Sequence, residues 1–201
     1  ITGTAYLLSP ETDDDYRLRV AQDTLFDYEA FNYTAQNTGK HSYANTTMAA
    51  AWSTGQVTTN SGSITTTTTG LVIRTYATFP GVKGAHTYIE AELAFSVSAA
   101  SAPSNTVVDF GLFIPNAANP YAPADGVYFR FGAAGLLGVL NFNGMETQVD
   151  LSTLFTAVAN KKQKFTISVT DTVADFWLDD EFLGEIETPD GNGLPCAAGA
   201  L

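Results

Sequence analysis

The sequence predicts an all-β protein, an antiparallel β-sandwich, on three observations. Apolar and polar residues alternate with a period of two along much of the chain. The alternating runs are short and flanked by Gly, Asn, Asp or Pro, and apolar residues at helical spacing are scarce. A period of two sends one face of a strand into a core and the other into water. Many short strands with one apolar face each require two sheets packed together. The chain has 201 residues, enough for one such domain to bury roughly 70% of its unfolded surface without a disulfide.

The elements follow in order. Residues 1–30 read as an extended N-terminal arm, and 31–201 as the sandwich. The arm carries Asp13-Asp14-Asp15 and then Arg17, Leu18, Arg19, Val20, Leu25 and Phe26. Arg17, Arg19, Leu25 and Phe26 are its candidate contacts. From Thr46 to Thr69 the chain is dense in Thr and Ser. Threonine is β-branched and neutral, so this stretch predicts solvated strand rather than flexible linker.

Ile89, Ala91, Leu93, Phe95 and Val97 share one strand face, with Tyr88, Glu90 and Glu92 on the other. The same alternation gives Val108-Phe110-Leu112-Ile114, Val127-Phe129-Phe131, Phe165-Ile167-Val169 and Ala174-Phe176-Leu178. Pro115 to Pro123 is a loop at a sheet edge. Asn143-Gly144 marks a hairpin tip, where positive φ is needed. Leu151–Val158 is the one helix expected, capped by Asp150 or Ser152. Asp171-Thr172 and Asp179-Asp180-Glu181 then turn the chain through a three-strand meander ending in Phe182–Ile186.

Nine Lys and Arg stand against 21 Asp and Glu, a net charge of −12. That balance argues against a sequence-independent nucleic-acid binder, which needs cations to neutralise phosphates, and against a basic membrane-surface helix. The longest nearly apolar stretch, 131–140, is too short to span a bilayer. Only 15% of residues are charged, against roughly 25% in an ordinary domain, so hydroxyls and amides cover the surface. The lone Cys196 can form neither an internal disulfide nor a thiolate metal site. The start at Ile1 and the apolar ending Pro195–Leu201, where a strand could begin, predict a segment of a longer polypeptide that lacks C-terminal strands.

Candidate chemistry is sparse. Glu90 and Glu92 point to one face, as paired carboxylates do in β-sandwich glycosidases. The next positions on that face are Ala94 and Ser96, so the third acid of the Glu-x-Asp-x-x-Glu pattern is missing. Like charges at this spacing also suit a plain solvent face. Trp177 lies opposite Phe176 and Leu178, where an aromatic ring serves as a sugar-stacking platform or as interface packing. Trp177, Tyr88, Glu90 and Trp52 are therefore the candidate glycan or interface residues. Asp13–Asp15, Asp179–Glu181 and Asp190–Gly193 lack the spacing of a calcium loop and read as turns. His41 and His86 stand alone, and no nucleophile elbow or phosphate loop appears. The expectation is a protein without catalytic residues, metal or cofactor.

A sequential pattern runs through Asp125-Gly126-Val127-Tyr128-Phe129-Arg130-Phe131, Gly135–Val139 and Asn143-Gly144-Met145-Glu146-Thr147. It continues through Asn160-Lys161-Lys162, Phe165–Val169 and Phe176-Trp177-Leu178-Asp179-Asp180 to Leu183–Pro189. It resembles virion structural proteins of tailed bacteriophages that carry a concanavalin A-like (lectin/glucanase) jelly-roll domain. Arg17–Val20 with Leu25-Phe26-Asp27, the stretch around Trp52, and Leu71–Tyr76 with Phe79-Pro80 fit the same resemblance. It implies a jelly roll on the outer surface of a virion, as a capsid decoration protein or a head or tail fibre component, made in the bacterial cytoplasm. Implied partners are major capsid or tail proteins and copies of itself in a homo-oligomer. A host surface glycan is the alternative. Neither nucleic acid nor membrane is an expected direct partner.

Overall fold

A computed structural model describes residues 35, 38–39, 41–46, 49–53, 56–60, 70–75, 86–96, 98–103, 105–116, 122–170 and 172–188. The arm residues Arg17, Arg19, Leu25 and Phe26 lie outside this set, as do Thr65–Thr69 and Asp190–Gly193. The described residues form strands and turns, with no helix among them.

In the Thr-rich part of the chain, β1 (His41–Thr46) pairs antiparallel with β4 (Gly70–Thr75), and β2 (Ala49–Ser53) with β3 (Gln56–Asn60). Two four-stranded antiparallel sheets hold the rest. One is a meander in chain order: β6 (Val108–Pro115), β7 (Pro123–Gly132), β8 (Gly135–Phe142) and β9 (Met145–Asp150). The other runs β12 (Glu181–Glu187), β11 (Val173–Leu178), β10 (Lys162–Val169), β5 (Thr87–Ala94). The meander is thus inserted between β5 and β10, which pair with each other from Lys162↔Ala94 to Val169↔Thr87.

Turn chemistry fixes the registers. Asn143 and Gly144, at φ 53° and 81°, make the tight β8–β9 hairpin that their sequence predicts. Asp179 and Asp180 play the same part between β11 and β12, at φ 47° and 68°. Aspartate tolerates this left-handed region better than most residues. The Asp179 carboxylate also accepts the Lys164 backbone N–H at 2.8 Å, so both aspartates act as turn residues. Between β10 and β11, the Thr170 hydroxyl accepts the N–H groups of Thr172 and Val173.

The core lies between the two sheets. Val127, Phe129 and Phe131 of β7, and Leu136 and Leu140 of β8, face Phe165, Ile167, Val169, Ala174 and Phe176. The rings of Phe110, Phe129, Phe165 and Phe176 meet mostly edge to face, with centroids 5.0–5.3 Å apart. Each fully buried phenylalanine contributes roughly 1.5–3 kcal/mol from burial alone. Gly138 makes this contact possible: a Cβ there would lie 2.7 Å from the Phe176 ring.

One expected element is corrected. Residues 151–158 form a turn and a short extended link instead of a helix. The Asp150 carboxylate accepts the Ser152 N–H at 2.8 Å, and the Leu154 N–H reaches only back to the Leu151 carbonyl. The chain then straightens so that Ala157 exchanges two backbone hydrogen bonds with Ala99. Burying Leu151, Phe155 and Ala157 in the core outweighs the helical spacing of Leu151, Phe155 and Val158.

Candidate functional site

Three of the sequence candidates share one surface. On the β5–β10–β11–β12 sheet, residues alternate away from the core as Tyr88, Glu90 and Glu92 on β5, Lys164, Thr166 and Ser168 on β10, and Asp175 and Trp177 on β11. Strand register aligns them in rows: Glu90 opposite Thr166, Thr166 opposite Trp177, and Trp177 opposite Phe182. A second row joins Tyr88, Ser168, Asp175 and Glu185. Glu90 and Trp177 are two strand spacings apart, roughly 10 Å, too far to act on the same atom but suited to opposite sides of one partner.

The bulge between Phe176 and Trp177 puts Phe182 beside Trp177, with ring centroids 5.2 Å apart and planes at 69°. Phe182 is 45% exposed and Tyr88 60%, so the face carries large apolar side chains in water. Its other members are mostly acidic. The Lys162 ammonium lies 3.0 Å from Glu92 and that of Lys164 3.0 Å from Asp180. Burial lifts the Asp175 carboxyl above its ordinary range against the pull of His86. His86 in turn sits 3.2 Å from the Tyr88 hydroxyl. Trp52 is placed in β2, opposite Val57. Its side chain lies outside the described set.

Sequence reasoning missed a polar network on the outer face of the meander sheet. Arg130 holds Asp109 of β6 through two parallel bonds, Nε–Oδ1 at 2.9 Å and Nη2–Oδ2 at 3.1 Å. Its Nη1 donates to Glu146 Oε2 of β9 at 2.7 Å, and Nη2 to the Tyr128 hydroxyl at 3.2 Å. Tyr128 donates to Glu146 Oε1 at 2.8 Å, and Gln148 Nε2 donates to Oε2 at 2.8 Å. The guanidinium lies over the Tyr128 ring, 5.3 Å from its centroid. Tyr128 packs across Gly111, whose φ of 150° and close partner backbone leave no room for a side chain.

Val139, in register between Tyr128 of β7 and Gln148 of β9, is fully buried. Burial raises the Tyr128 hydroxyl and outweighs Arg130 at Asp109, which also sits above its usual range. At Glu146 the order reverses: burial is outweighed by bonds from Arg130, Tyr128 and Gln148, and the carboxyl sits low. The network's donors and acceptors are matched to one another, so it clamps β6 and β9 onto β7. Its signal in the sequence was the placement of Tyr128 and Arg130 between Val127, Phe129 and Phe131.

Among the described residues no cluster of His, Cys, Asp and Glu is arranged to hold a metal ion, and no helix is long and apolar enough to cross a membrane. No family model, curated protein or solved structure matches the chain.

Proposed function

We propose that the chain is a non-enzymatic structural protein of a tailed-phage virion, a concanavalin A-like jelly roll on the particle surface that assembles through a sheet face and its N-terminal arm. The observation that carries this is the outer face of the β5 sheet. Tyr88, Trp177 and Phe182 present apolar surface on three strands of one sheet, the composition of an interface centre. The residues of the phage-protein resemblance supply β7 to β12, so the resembling segment coincides with most of the sandwich. Low charge density supports the same reading, because neutral hydroxyl-rich strands form contacts without desolvating many ions. A net charge of −12 suits an outer surface better than contact with packaged DNA. An extended arm binds a neighbour by adding a strand to an open sheet edge.

Deleting residues 1–22 tests the arm. The truncated chain is expected to fold and to be lost from purified particles, and incorporation at the full-length level would overturn the assignment. The glycan-binding alternative rests on the same face, since Trp177 with Glu90 one strand beyond Thr166 resembles a sugar platform with a polar anchor. It requires saturable binding on a glycan array that Trp177→Ala abolishes.

A further inference from the structure

The β8–β9 hairpin turns on Asn143-Gly144, a pair with covalent chemistry of its own. The Gly144 nitrogen, once deprotonated, can attack the side-chain amide carbon of Asn143, because glycine has no side chain to hinder the approach. The new N–Cγ bond closes a cyclic succinimide, and the side-chain nitrogen leaves as ammonia. Water then opens the ring at either carbonyl. Opening at Cγ leaves an aspartate, whereas opening at the main-chain carbonyl leaves an isoaspartate, whose backbone runs through Cβ and Cγ. Solvent water is the co-reactant, and both residues are exposed to it. A Cβ placed on Gly144 would meet no atom within 4 Å, so nothing bulky shields the tip.

The folded hairpin nevertheless withholds the nucleophile. The Gly144 N–H donates to the Ala124 carbonyl of β7 at 2.9 Å, and removing its proton would set a negative nitrogen against that oxygen. Pairing of Phe142 with Met145 on either side of the turn holds Asn143 and Gly144 at φ 53° and 81°. Ring closure requires the Gly144 nitrogen to turn toward Cγ and out of its hydrogen bond. Glu146 lines the same depression as the tip, but it accepts from Arg130, Tyr128 and Gln148 and is not free to take the proton. We propose that Asn143-Gly144 is a fold-gated deamidation site. The closed hairpin protects it, local opening admits succinimide formation, and the isoaspartate marks that opening permanently. The extra main-chain carbon lengthens a turn whose two residues set the register of β8 and β9. The altered chain cannot rebuild the tip that leads Glu146 of β9 to Arg130. This site does not depend on the assembly reading.

The test incubates the full chain in native buffer and in unfolding urea, and follows the peptide containing residue 143 by mass spectrometry. Asn192-Gly193 is a second pair of the same type and serves as the control in urea, where both pairs are expected to react alike. In native buffer, modification at residue 143 is expected to be slower by roughly tenfold or more, the population cost of breaking one hydrogen bond. Equal rates at residue 143 in buffer and in urea overturn the gate. The isoaspartate form, prepared in urea from an Asn192→Gln chain and separated by chromatography, is expected to refold with a lower urea midpoint than Asn143→Asp in the same background. That variant adds the same charge without lengthening the main chain, and aspartate tolerates positive φ. An isoaspartate form with the midpoint of Asn143→Asp overturns the proposed loss of the turn.

Discussion

Arg130 shows how much one side chain organises. It joins Asp109, Tyr128 and Glu146, and its removal strands two carboxylates on a largely covered face. Arg130→Met is therefore expected to cost about 3 kcal/mol in a urea unfolding titration, since breaking a buried pair leaves an uncompensated charge. The two carboxylates respond oppositely to pH. Glu146 is held below its usual range in the folded state, so the unfolded chain binds the proton first and stability falls as pH drops through that low value. Asp109 is raised, so the folded state binds the proton first and stability falls as pH rises through its window. Glu146→Gln is then expected to lose less stability than wild type between about pH 5 and pH 3, read as a smaller drop in urea midpoint. Alternation showed in the sequence that Tyr128 and Arg130 lie on one face. It could not show Asp109 or Glu146 as their partners, because those contacts depend on register between strands. The grouping of Trp177 with Tyr88 and Glu90 was more legible, since each strand's own alternation sends these residues outward and β10 brings the strands together.

Strands were the most readable elements because burial and alternation coincide in them. β5, with Ile89, Ala91 and Leu93 turned inward, and β11, with Ala174, Phe176 and Leu178, match their periodicity directly. The hairpin tips were legible for a local reason: Asn143-Gly144 and Asp179-Asp180 are residues that accept positive φ. Residues 151–158 misled because apolar spacing of four and three also suits a helix. There, the Asp150 side chain bonding to Ser152 and the backbone pairing of Ala157 with Ala99 settle the conformation through contacts that spacing does not encode. Across the sandwich, Gly138 and Phe176 act as one unit. Gly138→Ala forces a methyl group into a ring held by Phe129 and is expected to cost about 1–3 kcal/mol by overpacking. Phe176→Leu in the same chain should recover part of that loss, since a smaller side chain relieves the clash. A double-mutant cycle of thermal or urea unfolding reads this coupling directly.

The molecule presents two unlike outer faces. The meander sheet closes its own with the Arg130 network, whereas the β5 sheet leaves Tyr88 and Phe182 open to water. That contrast is what supports the β5 face as the assembly surface in the proposed function. Its acidic residues favour a partner surface that brings cations or hydrogen-bond donors to Glu90 and Asp175. The most direct measurement is sedimentation velocity of the full chain over a range of concentrations, comparing wild type with a Trp177→Ala, Phe182→Ser double variant. The expected result is concentration-dependent self-association of wild type that the variant loses while keeping its urea midpoint. A wild-type chain that stays monomeric throughout, with the variant indistinguishable from it, would contradict assembly through this face.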